Sequence, residues 1–239
     1  MRLLFVLLAT CATAAHASPI QVFDRAALAP NDAVDWSQLA DSTVYPSPLS
    51  VTSALGRGVL ADDGVGFTGL TEGVSWVGVF NVGDALLFTS VDQTDTGSAE
   101  TLLLSFAQPV YGVGTQVEAN FYGPYAAGLQ LYSGSVVVAS FVMHGSSTTA
   151  EDGSAPYLGA LGDAPTITAA RYTILTPSAS CPLLDQDCGF AINRLDLRVN
   201  VVPEPPTAAM LAAALAVAAA LRRRCPRPSA RACGHELER

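Results

Sequence analysis

The sequence predicts an all-β protein, an antiparallel β-sandwich ectodomain followed by one C-terminal transmembrane helix. Three observations lead there. Between residues 18 and 199 the apolar pattern has a period of two, in short runs of Val, Ile, Phe, Tyr and Thr. Gly, Pro, Asp and Ser break these runs, and no helix-length apolar period interrupts them. Residues 207–221 then form an uncharged Ala- and Leu-rich run, bounded by prolines on one side and arginines on the other.

Taken in order, Arg2, the apolar run 3–9 and Ala15-His16-Ala17 have the charge, length and small-residue spacing of a secretory signal peptide over residues 1–17. Cleavage leaves Ser18 as the new N-terminus. A lipid anchor on Cys11 would want a small Ala or Gly where Thr10 stands, and a longer apolar run before it. The exported domain follows at 18–199, with strands expected at 20–23, 49–54, 85–90, 101–106, 112–119, 128–132, 135–143, 156–161, 166–175 and 190–199. One helical turn is expected at 24–28, capped by Asp24. Ser133-Gly134 reads as a two-residue hairpin turn, because Gly supplies the positive φ that tight turns need. At roughly 180 residues the domain is long enough for one well-filled core, and no internal repeat divides it.

Residues 200–206 are a Pro-rich linker that holds the chain extended before the apolar run. The run 207–221 reaches only about 22 Å at about 1.5 Å per residue, short of a roughly 30 Å hydrocarbon core. It spans if flanking residues extend it or the bilayer thins. Arg222, Arg223 and Arg224 open a basic tail, residues 222–239, and positive flanks stay in the cytoplasm. The expected layout is an outside domain, one short anchor and a cytoplasmic tail.

Val202-Pro203-Glu204-Pro205, the apolar run and Arg222-Arg223-Arg224 together resemble the PEP-CTERM sorting signal of exported bacterial proteins. The resemblance implies a membrane-embedded exosortase as partner, which cuts near the Pro-Glu-Pro element. It implies anchoring in the inner membrane first and a place in the cell envelope, at the surface or outside the cell after processing. Family members usually stop soon after the arginines, whereas this chain runs on through Cys225 to Arg239. A second resemblance covers residues 34–199, through Leu103-Leu104-Ser105-Phe106, the Pro109 to Gln116 stretch, Tyr157-Leu158-Gly159 and Phe190 to Leu195. These look like a sandwich ectodomain recurrent in PEP-CTERM proteins, jelly-roll-like in the manner of carbohydrate-binding modules. Its motifs are core and turn patterns rather than a catalytic signature.

Charge divides by compartment. Between Ser18 and Pro203 there are five arginines and no lysine against eighteen acidic residues, so the exported domain lacks the basic surface that nucleic-acid binding requires. Cysteines divide the same way. Cys181 and Cys188 alone fall in the exported domain, where an oxidising compartment and a short loop favour a disulfide. A metal site there would need further Cys or His ligands, and the domain offers only His144.

Chemical constellations are few. His144 has no Gly-x-Ser-x-Gly nucleophile to serve, and an exposed strand histidine is the plainer reading. The pairs Asp62-Asp63, Glu151-Asp152 and Asp185 with Asp187 lie beside Gly or Pro, where turns recruit carboxylates for backbone hydrogen bonds. Asp92 and Asp95, in Asp92-Gln93-Thr94-Asp95-Thr96-Gly97, are the candidate calcium ligands, without EF-hand spacing. Aromatics Tyr111, Phe121, Tyr122, Tyr125 and Tyr132 cluster in sequence, and the loop 120–125 offers Tyr122 and Tyr125 as rings for a sugar face or as a cover for the core. The function that follows is a non-catalytic surface or matrix protein that binds polysaccharide, with no organic cofactor. The alternative is a secreted, glycosidase-like hydrolase using acidic-loop carboxylates, which needs two carboxyls facing each other about 5 to 10 Å apart.

Overall fold

The computed structural model describes residues 17–89, 100–175 and 189–199. Residues 1–16 of the expected signal peptide 1–17, Asp92 and Asp95, Cys181 and Cys188, and residues 200–239, where the linker, the apolar anchor, the sorting motif and the basic tail are expected, lie outside the described residues. Among the described residues fifteen strands occur in the order β1 Ile20–Val22, β2 Asp32–Val34, β3 Thr43–Pro46, β4 Leu49–Thr52, β5 Gly58–Asp62, β6 Gly66–Thr71, β7 Ala85–Phe88, β8 Thr101–Val110, β9 Gly112–Ala119, β10 Gly123–Ser133, β11 Val136–Ser147, β12 Tyr157–Leu161, β13 Ile167–Ile174, β14 Phe190–Ile192 and β15 Leu195–Arg198. One helical turn, α1 Arg25–Leu28, follows β1, where Asp24 Oδ1 accepts Ala27 N–H at 2.6 Å as the expected cap. Among the described residues no helix is long and apolar enough to cross a membrane.

All ladders between these strands are antiparallel and form two sheets. One runs β1-β12-β9-β14-β7-β6-β3, with β15 joining β9 to β2; the other runs β11-β10-β13-β8-β5-β4. Val113, Val117 and Leu158 of the first share one core with Leu102, Leu104, Leu129 and Tyr172 of the second. The fold is therefore all-β and antiparallel, an arrangement consistent with a β-sandwich. Two tyrosine hydroxyls cross the core: Tyr172 donates to Leu158 O at 3.3 Å and Tyr125 to Val117 O. Such rings fill space and satisfy a carbonyl at once.

Several expectations shift in the structure. The β10–β11 hairpin forms, but Ser133 pairs with Val136, so the loop is Gly134-Ser135, with Gly134 at φ +59. Residues 190–199 break into β14 and β15 at Asn193-Arg194, because β9 takes β14 along Val117 to Ala119 and β15 along Gly112 to Gly114. Asn193 fills the break: its amide donates to Gln116 Oε1 at 2.6 Å and its side-chain oxygen accepts Gln116 N–H at 3.2 Å. The expected 120–125 loop is shorter, since β10 already starts at Gly123. Period-two alternation then turns Tyr125 inward with Ala127, Leu129 and Leu131.

Candidate functional site

The described residues hold a cavity of about 200 Å³ where four pieces of chain meet: Ser75 to Val77 of the β6–β7 connection, the end of β9 with Glu118, the 120–122 turn, and Ser147 at the end of β11. The connection is shaped by its own backbone. Thr71 O accepts the N–H groups of Val74, Ser75 and Trp76, and Gly73 N–H returns to Trp76 O at 2.8 Å. Segment 151–155 clamps the far side, with Glu151 N–H on Gly78 O at 2.8 Å and Ala155 N–H on Val79 O at 3.0 Å. Trp76 packs into a satellite core, its ring centroid 5.3 Å from that of Phe88.

Two buried glutamates hold this connection in place. Glu118 Oε2 accepts Trp76 Nε1–H at 3.1 Å and Val79 N–H at 3.0 Å, while Glu72 Oε1 accepts Gly78 N–H at 2.7 Å. Glu72 is wholly buried and its Oε2 has no hydrogen-bond partner. Gly78 lies between them, and a Cβ there would stand 2.1 Å from Glu118 Oε2 and 2.4 Å from Trp76 Nε1. Burial pushes the Glu118 carboxyl up to about 7, and the charge of Glu72 adds to the shift against the two N–H donors. Burial likewise raises Glu72, helped by Glu151 and Asp84.

Tyr122 stands at the rim of the cavity, 67% exposed, whereas Tyr125 is 3% exposed and committed to the core. The two rings therefore do not form a shared platform. His144 is exposed within β11. Asp62 and Asp63 serve turn geometry: Asp62 Oδ1 accepts Gly64 N–H at 3.0 Å and Asp63 Oδ1 accepts Gly66 N–H at 2.8 Å. Asp152 does the same for Ser154 N–H at 3.0 Å. Asp185 and Asp187 lie outside the described residues. Among the described residues, no group of three or more His, Cys, Asp or Glu side chains is arranged to hold a metal ion.

The carboxyls that come together, Glu72 and Glu118, belong to none of the acidic pairs seen in the sequence. The one signal, for Glu118 alone, was the single charged residue in the strand Gly112-Val113-Gly114-Thr115-Gln116-Val117-Glu118-Ala119. The cavity can hydrogen-bond a small polar ligand through a carboxyl and hydroxyls while offering it an exposed ring face. Comparison of the sequence with protein-family models finds no match, and a search of the curated proteins finds none either.

Proposed function

We propose that the chain is an exported cell-surface or extracellular-matrix protein that binds polysaccharide without catalysis. Its reading as a jelly-roll-like β-sandwich carried between a signal peptide and a PEP-CTERM-type sorting signal rests on the sequence: the triple arrangement of Val202-Pro203-Glu204-Pro205, apolar run and Arg222-Arg223-Arg224 at one end, and residues 1–17 at the other. Strand β1 begins at Ile20, so cleavage after Ala17 removes none of the described strands. An exosortase-type enzyme is the processing partner, and the apolar run 207–221 is the temporary inner-membrane anchor. Cys181 and Cys188 form a disulfide after export, and Asp92 with Asp95 is the place for any structural calcium.

The observation that carries the binding reading is the exposed Tyr122 ring beside a cavity lined by Glu118, Asn120 and Ser147. Sugars present an apolar face and a hydroxyl edge, and such a cavity meets both. Its volume of about 200 Å³ is below the roughly 300–1,000 Å³ of pockets for drug-sized ligands, which suits one ring of a longer chain. A glycan array probed with the full chain tests this reading, and binding to no glycan would sink it. Mass spectrometry of surface material tests the sorting reading, with a C-terminus expected near Pro203 to Pro206; a mature protein that retains Arg239 counts against it.

A secreted hydrolase is the second reading. What favours it is Glu118, a carboxyl held near neutrality beside a second carboxyl, as acid catalysts often are. Against it, Glu72 is not among the residues that line the cavity, and both carboxyls are engaged by loop N–H groups. Release of reducing ends from a glycan that the protein binds, abolished by Glu118→Gln, would favour the hydrolase.

A further inference from the structure

The cavity is one-sided in charge. Glu118 lines it and Glu72 stands next to Glu118, with Glu151 and Asp84 close enough to Glu72 to raise its carboxyl further. Among the described residues no arginine, lysine or histidine lines the cavity. The five arginines of the exported domain are engaged elsewhere. Arg25 and Arg194 pair with Asp196, Arg57 with Asp32 and Gln108, Arg171 lies over Tyr132 at 5.3 Å, and Arg198 donates to Ala29 O. The described protein therefore supplies these carboxyls with N–H donors but with no cation. A buried carboxyl in that position costs stability, and a positive group from outside is what would offset the cost.

The geometry points to a ligand unit that carries a protonated amine: a 2-amino-2-deoxyhexose residue of an extracellular polysaccharide, its ammonium at Glu118 and its ring against Tyr122. This rests on the polysaccharide-binding reading of the same cavity and names the sugar class. An ammonium beside the exposed Tyr122 face gains a cation–π contact as well as the ion pair. Steering agrees, because the exported domain carries eighteen acidic residues against five arginines and draws polycations toward it. A polyanionic glycan would meet Glu118 with no cation to neutralise it.

The ion pair has a proton signature. The groups facing Glu118 are Trp76 and Val79 N–H from the β6–β7 connection, Ser147 from β11, Tyr125 from β10 and the Glu72 carboxyl. Burial raises both carboxyls, Glu118 to about 7. The ion pair needs the carboxyl ionised and the amine protonated, and an amino-sugar amine is itself a weak base, so affinity falls at low pH as Glu118 takes up a proton and at high pH as the amine loses one.

Calorimetry on the full-length chain at pH 5.5, 7 and 8.5 tests this with three probes: a β-1,4-linked glucosamine tetramer, its fully N-acetylated counterpart and cellotetraose. The amine-bearing tetramer should bind about tenfold tighter or more at pH 7, the scale of one hydrogen bond to a charged group, and it alone should weaken on both sides of neutral pH. Glu118→Gln should remove both the preference and the weakening at low pH. Val77→Lys, at an exposed position on the cavity wall, should repel the amine without disturbing the core, which keeps the test valid if Glu118→Gln fails to fold. Equal or tighter binding of the acetylated or neutral probe overturns the ammonium inference while leaving the polysaccharide reading in place. If the wild type binds none of the three and no glycan on an array, the polysaccharide reading falls with it.

Discussion

The indole N–H of Trp76 meets the carboxyl of Glu118 at 3.1 Å, across 42 residues of sequence. That bond fixes a loop side chain to the end of β9, and Gly78 lets the two approach, since any side chain there would occupy the same space. A buried carboxyl whose hydrogen bonds come from N–H groups, with no ion pair, costs stability when it is ionised.

Stability should fall as pH rises. Glu118 binds its proton more tightly folded than unfolded, so between its ordinary value of 4.5 and about 7 the native state holds the extra proton. This contribution is complete at low pH and is lost as pH climbs through about 7, roughly 3 kcal/mol at about 1.4 per pKa unit. Glu72 acts in the same direction, while Asp41 and Asp152, held low by Ser75 and Ser154, act in the opposite direction at lower pH. Urea midpoints at pH 5.5 and 8 should show the fall for wild type and a flatter profile for Glu118→Gln, which keeps an acceptor for both N–H donors. A wild-type midpoint higher at pH 8 would contradict the assignment.

Gly78→Ala should destabilise the domain by about 1–3 kcal/mol, the range for overpacking a filled site. Its Cβ falls 2.1 Å from Glu118 Oε2, so either the carboxyl or the indole must move. Trp76 fluorescence should shift to longer wavelength in the variant. An unchanged spectrum with unchanged stability would mean that the connection yields freely.

Asp196 is fully buried between Arg25, whose Nε donates at 2.5 Å, and Arg194, whose Nε stands 3.0 Å from the other oxygen as an ion pair without hydrogen-bond geometry. Tyr157 OH donates to it at 3.3 Å. Arg25→Ala and Arg194→Ala together should cost more than the sum of the single changes, because each alone leaves Asp196 one arginine beside the Tyr157 hydroxyl, whereas the double change leaves it no cation. The double variant should approach the roughly 3–5 kcal/mol of breaking a buried pair. A thermodynamic cycle from chemical denaturation measures the coupling, and strict additivity would refute it.

Leu104→Ala and Tyr122→Ala separate core from cavity. Leu104 has no exposed surface, and its truncation should cost about 2–5 kcal/mol. Tyr122 is 67% exposed, and its truncation should leave stability within about 0.5 kcal/mol while weakening glycan binding. Retained binding in Tyr122→Ala would move the sugar face elsewhere.

The strands of strong alternation were legible from sequence, and 112–119 matches β9 residue for residue. Strands β2, β3, β5 and β6 were not, since Asp32, Pro46, Gly58 and Gly66 weaken any local strand signal; their neighbours in the sheet supply what propensity does not. Tyr125 was misplaced for a similar reason: Gly123-Pro124 reads as a turn, yet it opens β10. Glu118 stayed hidden because a charge in a strand reads as solvent-facing, and the loop that covers it is contributed from residues 72–84, far away in the chain. Local pattern identifies strands, whereas a cavity is assembled from tertiary neighbours.

The pairing of β2 with β15, Leu195 against Val34 and Leu197 against Asp32, ties the second of the described strands to the last of them. β15 also lies along β9, so it sits between β2 and β9 as an interior strand of the first sheet. For a chain delivered N-terminus first, from a ribosome or through a translocation channel, the first sheet therefore cannot be completed until residue 198 has emerged. The six-stranded sheet has all its strands by Ile174 and can pair earlier, so β15 is the latch of the first sheet alone.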